Sequence, residues 1–271
     1  MSILSNEQVQ TTKQFIFQNG RLLERQLFEY FFGKGTKQAC VRALLAYQNT
    51  DGGFGNGIEP DLLCPDSTAI GAEAAMHVMD LLDYYDPEVT DPLLNWIVEH
   101  QNAAGFIPHP PANMFDYPYQ SWWKNPDAER VLTLAGLLKK WRMEHDGFFQ
   151  RVRGYYAQVE MPSADSYYGY PYFVYLKYCG ENAADQAKLA TMIEHLPVLL
   201  EKHADHFPLF SRAWFYAADC VAREIVVEEA QRFAAAIQED GGLAVPYPDL
   251  PWWRPIWTLD GLVLLKRLSF L

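Results

Sequence analysis

The stretch Gln48-Asn49-Thr50-Asp51-Gly52-Gly53-Phe54-Gly55-Asn56-Gly57 ends one helix and begins a long loop. The apolar residues before it, from Thr36 to Gln48, fall mostly at helical spacing. Paired glycines tolerate the positive φ that a helix C-terminus needs, and an aspartate side chain accepts hydrogen bonds from turn amides. The stretch therefore predicts a helix over 36–48 that is stopped by glycine, with Phe54 returning to the core.

Similar turns recur later in the chain. Gln101-Asn102-Ala103-Ala104-Gly105-Phe106 follows a second predicted helix, and Gln238-Glu239-Asp240-Gly241-Gly242-Leu243 follows a third. Measured from glutamine to glutamine, the spacings are 53 and 137 residues. The longer spacing corresponds to about three units of roughly 46 residues, and a period of this size indicates stacked helical repeats.

The Gln-x-x-Asp-Gly-Gly-Phe unit resembles the repeat of terpene cyclases and protein prenyltransferase β subunits. The resemblance implies an all-α fold, an α/α toroid in which six inner helices are ringed by six outer ones, as a single domain over 1–271. Related turns also occur in other α/α toroids, including some pectate lyases. The motif is present at three of about six turns, so it is specific for fold and weak for chemistry.

The chain departs from that family in several respects. The Asp-x-Asp-Asp run with which class II terpene cyclases protonate an alkene is missing from the sequence. The second helical domain of those cyclases and the α subunit of the prenyltransferases have no counterpart within the chain. We therefore do not expect squalene-type cyclisation or autonomous protein prenylation.

The composition limits the classes of molecule that the protein is expected to bind. The 271 residues are 49% hydrophobic and 15% aromatic, enough for a sizeable core, and the formal charge is −12. Nucleic acids and anionic membranes bind basic patches, so neither is expected as the main partner. The amino terminus lacks the features of a secretory signal, no apolar run approaches a membrane span, and the four cysteines have no paired spacing. A reduced, cytoplasmic protein is expected, of unknown oligomeric state.

The helical periodicity of apolar residues and the residues typical of helix ends predict six helical hairpins. The Asp91-Pro92 and Asn125-Pro126 pairs are typical of helix starts. The nearest candidate for a strand is 243–247, which is short and flanked by proline. The predicted outer helices are 6–19, 36–48, 92–101, 147–160, 184–203 and 224–238, and the predicted inner helices are 21–32, 68–82, 127–141, 167–179, 211–221 and 256–269.

The connections from outer to inner helices are long, at 49–66, 102–124 and 239–255. In a toroid these loops share one end of the ring, and function tends to lie on long loops that a rigid scaffold holds. The first of them contains Glu59, Asp61 and Asp66, the candidates for general acid and base. The alternative is that Asp66 caps the next helix and the other two are solvated.

Two tryptophan pairs, each followed by a cation, precede predicted inner helices: Trp122-Trp123-Lys124 and Trp252-Trp253-Arg254. Gly105-Phe106-Ile107-Pro108 and Gly242-Leu243-Ala244-Val245-Pro246 also correspond upstream of them. The pairs predict an aromatic wall with anchors for an anionic group, or else fillers between repeats with solvated cations. The other candidate binding residues in or beside the ring are His109, Asp116, Tyr168, Tyr172 and Asp249.

Tyr168, Tyr172 and Tyr175 share one helical face and suit sugar stacking or carbocation stabilisation, or an ordinary core. A zinc site of Cys64, Asp66 and His109 has the right atom types but the wrong order for a prenyltransferase, so no cofactor is expected.

Three functions remain open at this point. The first is an enzyme that binds a hydrophobic, isoprenoid-type substrate in a central aromatic-lined cavity. The second is a carbohydrate-active hydrolase or lyase, and the third is a ligand-binding toroid without chemistry. Each implies a small-molecule ligand, hydrophobic or carbohydrate.

Overall fold

A computed structural model describes residues 2–244, 247 and 249–271. The expected all-helical fold is confirmed, because these residues form α-helices and short 3₁₀ turns and contain no strand beyond isolated bridges. Among the described helices, none combines the length and apolar composition that a bilayer crossing requires. The helices are α1 Asn6–Asn19, α2 Leu22–Phe32, α3 Lys37–Leu45, α4 Ala69–Leu82, α5 Pro87–His100, α6 Arg130–Lys140, α7 Asp146–Tyr156, α8 Tyr170–Cys179, α9 Ala183–Lys202, α10 Arg223–Ala235 and α11 Trp253–Arg267.

The chain divides into two compact units. A terminal unit comprises Met1–Ala43 and Ile193–Leu271, and a central unit comprises Leu44–Met192. In the central unit α4, α6 and α8 pack side by side. Every residue of α4 is buried. Close packing of α6 on α8 depends on Gly136, since a Cβ there would lie 2.7 Å from the backbone oxygen of Val174.

Three glycine turns share one hydrogen-bond pattern. Asn49 N donates to Gly53 O, Asn102 N donates to Phe106 O, and Gln238 N donates to Gly242 O, each at 2.9 Å. Gln238 is therefore equivalent to Asn49 and Asn102, and the residue equivalent to Gln48 and Gln101 is Ile237. The glutamine-to-glutamine register was wrong by one residue at the third turn, where the Asp-Gly-Gly triplet sets the alignment.

Each of these turns lies against a helix other than the one that it ends. The positive-φ glycines Gly52 and Gly105 have φ of +89° and +95°. A Cβ on Gly52 would lie 2.4 Å from Pro92 O in α5, and one on Gly105 would lie 2.3 Å from Arg151 O in α7. In the terminal unit Gly241 meets Thr11 of α1 in the same way, at 2.6 Å. Glycine is thus required both for the turn and for the docking of the turn on another helix.

Several predicted helix limits are wrong. The α4 helix begins after Thr68, whose hydroxyl accepts from Gly71 N at 3.0 Å, so Asp66 is not its cap. The α5 helix begins five residues before the predicted start, because Asp86 caps it, and Pro92 lies inside it. The helix predicted over 167–179 begins three residues later, since α8 starts at Tyr170 with proline in its first turn.

The helix predicted over 211–221 does not form. The segment contains the short 3₁₀ turns Pro208–Phe210 and Phe215–Ala217. The Ser211 hydroxyl donates to Pro208 O at 2.8 Å and accepts from Trp214 N at 3.4 Å, and such side-chain bonds compete with helix formation. In the strand candidate over 243–247, Leu243 makes an isolated bridge with Ile237, while Val245 and Pro246 lie outside the described residues.

Candidate functional site

Two long loops of the central unit fold against each other. We call residues 55–66 and 102–124 together the loop cluster. Leu63 N donates to Pro118 O and Gln120 N donates to Asp61 O, both at 3.0 Å. Beneath them lies a small hydrophobic core of Leu62, Cys64, Ile70, Met114 and Trp123. Within this unit, the first two long connectors therefore lie together, as the sequence predicted for the connectors of a ring.

The loop acids have different environments. Glu59 and Asp61 are buried, with 8% and 5% of their surface exposed, so they are not the solvated carboxylates of the alternative interpretation. Trp123 Nε1 donates to Asp61 Oδ1 at 2.7 Å, which explains how one buried carboxylate is stabilised. Asp66 is exposed. The catalytic roles predicted for these three acids stay predictions.

The residues of the considered zinc site have other contacts. Cys64 Sγ donates to Asn113 Oδ1 at 2.9 Å, and burial raises the pKa of the thiol. His109 Nε2 lies 3.0 Å from Trp123 O. Among the described residues, no group of three or more His, Cys, Asp and Glu side chains is arranged to hold a metal ion.

A second polar group, which the sequence analysis did not single out, lies where α4, α6 and α8 meet. We call Glu73, Asp127, Arg130 and Tyr170 the acid–arginine cluster. Arg130 Nη1 pairs with Glu73 Oε2, and Tyr170 OH donates to the same oxygen at 3.2 Å. On its other edge Arg130 donates from Nε and Nη2 to the two oxygens of Asp127, at 3.0 and 3.2 Å. One guanidinium therefore orients two carboxylates.

Burial dominates the electrostatics of this cluster. It raises the pKa of Glu73, and Arg130 and the Thr133 hydroxyl oppose that rise. The pKa of Arg130 is raised by Asp127 and Glu73 against the effect of its own burial, so its charge is permanent. Burial lowers the pKa of His109, which is also influenced by Asp127 and Arg130, so its imidazole is neutral at pH 7.

The two oxygens of Glu73 differ. Oε2 is held by Arg130 and Tyr170, whereas Oε1 makes no hydrogen bond of normal geometry among the described residues and has only the Thr133 hydroxyl as a neighbouring donor; the side chain is 4% exposed. Buried polar atoms are almost always satisfied. Glu229 Oε2 is another exception among the described residues, and Glu73 differs from it in having a second carboxylate, Asp127, on the same guanidinium. Side-chain exposures of 12% at Arg130 and 19% at Asp127 show the direction in which solvent reaches the cluster.

His109 of the loop cluster is affected by the charges of the acid–arginine cluster. Its ring makes an edge contact with Trp123 at 5.6 Å and lies within the electrostatic influence of Asp127 and Arg130. Trp123 is buried and bonded to Asp61, and its neighbour Trp122 is 38% exposed. A tryptophan side chain is thus presented to solvent at the edge of a group of buried acids.

The remaining predicted site residues of the central unit are either exposed or part of the core. Asp116 and Lys124 are exposed, and Lys124 Nζ lies 5.5 Å from the centre of the Tyr119 ring. Tyr168 is 76% exposed. Tyr172 is buried, its hydroxyl donates to Glu160 O at 3.4 Å, and burial raises its pKa to about 12. Tyr172 therefore fits the core interpretation of the tyrosine stripe.

Arg254 in the terminal unit is held by the third glycine turn. It donates to both oxygens of Asp240 at 2.9 Å, to Gln238 Oε1 at 2.7 Å and to Leu243 O at 2.7 Å. Its guanidinium also covers the Phe15 ring at 4.7 Å. These contacts give Arg254 a structural role in the turn, and its role as an anion anchor stays a prediction.

The tryptophan pair of the terminal unit repeats the pattern of the first pair. Trp252 is 42% exposed and Trp253 is buried, in a small group with Leu250 and Ile256. Asp249 is exposed. Within each unit, one tryptophan of the pair therefore fills the interior and the other faces solvent.

The signal for the acid–arginine cluster was present in the sequence. Glu73 is the one acidic residue in the run from Ala69 to Met79, which is rich in small residues. A charge on a fully buried helix requires a partner. The identity of that partner, Arg130, depends on a contact between residues 57 positions apart, which spacing alone did not reveal.

No protein-family model, no curated protein and no solved structure matches the chain. The resemblance to terpene cyclases and prenyltransferase β subunits stays a prediction.

Proposed function

We propose that this chain is a glycoside hydrolase built on an α/α toroid, with Glu73 as the proton donor and a neutral glycan as the substrate. One observation carries the proposal. A glutamate is buried in α4, with one carboxyl oxygen fixed by Arg130 and Tyr170 and the other without a hydrogen bond of normal geometry among the described residues.

The toroid is supported by the repeated docking of glycine turns. The turn after α3 lies against α5, and the turn after α5 lies against α7. The turn after α10, near the end of the chain, lies against α1 at its beginning through Gly241 and Thr11. A closed ring of repeats requires such a contact between last and first members, whereas an open solenoid leaves its end repeats apart.

The environment of Glu73 suits a general acid. Burial raises the pKa of its carboxyl group, which is the direction that a general acid requires. With Oε2 fixed, the proton is carried on Oε1. From Oε1 it passes to the glycosidic oxygen as the bond between that oxygen and the anomeric carbon breaks.

Asp127 is proposed as the general base. It takes a proton from the water that attacks the anomeric carbon; solvent then removes that proton from Asp127 and returns one to Glu73. The two carboxylates contact different nitrogens of one guanidinium, which keeps them apart. We therefore expect the wide carboxyl separation of inverting enzymes, roughly 6.5–9.5 Å.

Two of the three candidate cations are already paired with carboxylates, which favours hydrolysis of a neutral glycan over lyase chemistry and isoprenoid transfer. A prenyl diphosphate and a uronate polymer both require cations to bind their anionic groups. Arg130 is occupied by two carboxylates and Arg254 by Asp240, while Lys124 is exposed and lies over an aromatic ring. A neutral substrate fits these charges better, so hydrolysis is favoured over lyase chemistry and over isoprenoid transfer.

The test compares wild type with Glu73→Gln on nitrophenyl glycosides and on neutral polysaccharides. Glu229→Gln is the matched control, because Glu229 is also buried, has a pKa raised by burial, and pairs with Arg232 of its own helix. We expect Glu73→Gln to lose about 10²–10⁴-fold in kcat, and the control to stay within about twofold. Absence of any turnover by wild type, or full activity of Glu73→Gln, would refute the proposal.

The isoprenoid alternative has its own readout. Farnesyl and geranylgeranyl diphosphate are expected to leave the melting temperature unchanged, since a ligand stabilises only the state to which it binds. A rise in melting temperature that grows with diphosphate concentration would favour that alternative. Binding of a glycan with no turnover would favour the ligand-binding toroid.

A further inference from the structure

The surface of the loop cluster carries an unusual share of the exposed apolar side chains. Eleven large hydrophobic residues are exposed among those described, and four of them belong to these two loops, which make up a small part of the chain. Apolar groups concentrated on an exposed surface mark binding sites, whereas scattered ones do not. The four are Leu63, Phe115, Tyr117 and Trp122, which we call the apolar platform.

The loops hold the four side chains of the apolar platform toward solvent. Leu63 follows buried Leu62 in the chain, and Phe115 follows buried Met114. Trp122 precedes buried Trp123, which is fixed by its hydrogen bond to Asp61. The buried neighbours belong to the small core under the loops. These side chains are therefore presented to solvent on an ordered base, and such preorganisation lowers the entropic cost of binding.

The charges around the platform limit its ligand. Asp66, Asp116 and Lys124 are exposed on the same loops, so acids outnumber cations among these exposed groups, and the whole chain has a formal charge of −12. Polyanions are repelled by such a surface. Carboxylates accept hydrogen bonds from sugar hydroxyls, and aromatic rings offer flat apolar faces. The combination suits a neutral sugar chain better than a uronate polymer, a nucleic acid or an anionic membrane.

We propose that the apolar platform is a stacking subsite for a neutral polymeric glycan, with Trp122 and Phe115 as its main contacts. The proposal rests on the proposed function, since it supplies the extended substrate on which Glu73 acts. Trp123, beneath the platform, bonds to Asp61 through its indole nitrogen and to His109 through its backbone oxygen.

The test is affinity electrophoresis in native gels that contain β-glucan, xylan, glucomannan or polygalacturonate. Variants Trp122→Ala and Phe115→Ala are compared with Phe17→Ala, an exposed phenylalanine of α1. A second matched pair is Leu63→Ala with Leu22→Ala, both exposed leucines. Glu73→Gln is included so that binding is measured without turnover.

We expect one or more neutral glycans to retard wild type and Glu73→Gln equally. Trp122→Ala and Phe115→Ala should each weaken that binding at least tenfold, about 1.4 kcal/mol. Phe17→Ala and Leu22→Ala should change it less than twofold, and polygalacturonate should not retard any form. Failure of every neutral glycan to retard wild type, stronger retardation by polygalacturonate, or unchanged binding by both platform variants would overturn the proposal.

Self-association is the competing occupant of the platform. A dimer in sedimentation velocity that Phe115→Ala and Trp122→Ala abolish, with no glycan binding, would assign the surface to a second copy of the chain and overturn the subsite. The two proposals also fail separately. Loss of hydrolysis in Glu73→Gln with unchanged platform variants would overturn only the subsite, while platform-dependent binding without any hydrolysis would overturn only the proposed reaction.

Discussion

Adding one methyl group at each of two glycines should change stability in opposite directions. Gly105 has φ +95°, and a Cβ there would lie 2.3 Å from Arg151 O and 2.9 Å from Tyr155 Cβ. Gly154 lies in α7, and a Cβ there would meet nothing within 4 Å. Gly105→Ala therefore tests the docking of the turn on α7, and Gly154→Ala, which adds the same methyl group within α7, is its control.

The expected magnitudes follow from these contacts. A left-handed conformation costs a non-glycine residue about 1–2 kcal/mol. The obstructing oxygen belongs to the backbone of α7, so the helix must move, and overpacking of this kind costs about 1–3 kcal/mol. Gly105→Ala should therefore lower the free energy of unfolding by about 2–5 kcal/mol. Gly154→Ala should raise it by roughly 0.5–1 kcal/mol, because alanine is favoured in a helix.

Urea unfolding followed by tryptophan fluorescence measures both changes. With a slope of about 3 kcal/mol/M, Gly105→Ala should move the midpoint down by roughly 1 M and Gly154→Ala should move it up by about 0.2–0.3 M. Equal shifts for the two variants, or a Gly105→Ala midpoint within 0.3 M of wild type (about 1 kcal/mol at that slope), would refute the docking of this turn on α7.

Three further predictions use other parts of the chain. Trp123→Phe removes the donor to buried Asp61 and should lower the free energy of unfolding, measured by thermal unfolding, by about 1–3 kcal/mol. Trp122→Phe should change it by less than about 0.5 kcal/mol, and equal effects of the two substitutions would contradict the geometry. The pKa of Asp80 is lowered because hydrogen bonds and charge attraction from Lys140, joined by hydrogen bonds from Tyr85 and Trp141, outweigh the effect of burial. The stability that the Asp80 carboxylate contributes is therefore present above the unfolded pKa near 3.8 and is lost as the pH falls through the folded value. Asp80→Asn should therefore flatten the acid limb of stability against pH, and a parallel curve would refute this. Burial raises the pKa of Cys40 to about 11 and that of Cys179 to about 12, and Cys64 is also buried, so a thiol reagent at pH 8 should modify Cys220 first; rapid modification of more than one thiol per folded chain would contradict this.

The local parts of the fold were predictable because they depend on neighbouring residues. The glycine stop after α3 follows from the Asp-Gly-Gly triplet, and Asp51 Oδ1 accepts from Gly53 N at 2.9 Å, as expected of a turn aspartate. The third turn repeats this bond between Asp240 and Gly242 at 3.0 Å. The register error arose because glutamine identity was aligned in place of that triplet, whose backbone geometry is what repeats.

The candidate site was predicted only in its loop half. Glu59 and Asp61 were selected because they lie in the long loop before α4, and both proved to be buried. Glu73 and Arg130 lie within helices, where a single charge is usually read as a solvated position. Their pairing depends on how α4 packs on α6, and sequence spacing does not encode that packing.

The failure of the helix over 211–221 has a similar cause. Periodicity there favoured a helix, but Ser211 bonds to the local backbone and the segment forms 3₁₀ turns. Arg212 of this segment donates to buried Asp260 at 2.8 Å, so its conformation is tied to a long-range ion pair. Tertiary contacts override local propensity at such positions.

The most direct test of the proposed function is a crystal structure of Glu73→Gln with a neutral oligosaccharide, since this variant should bind without turnover. We predict a sugar ring stacked on Trp122 and a glycosidic oxygen within about 2.6–3.2 Å of the side-chain atom that replaces Oε1. An oligosaccharide bound away from Glu73, or a crystal without bound sugar at saturating concentration, would contradict the proposal.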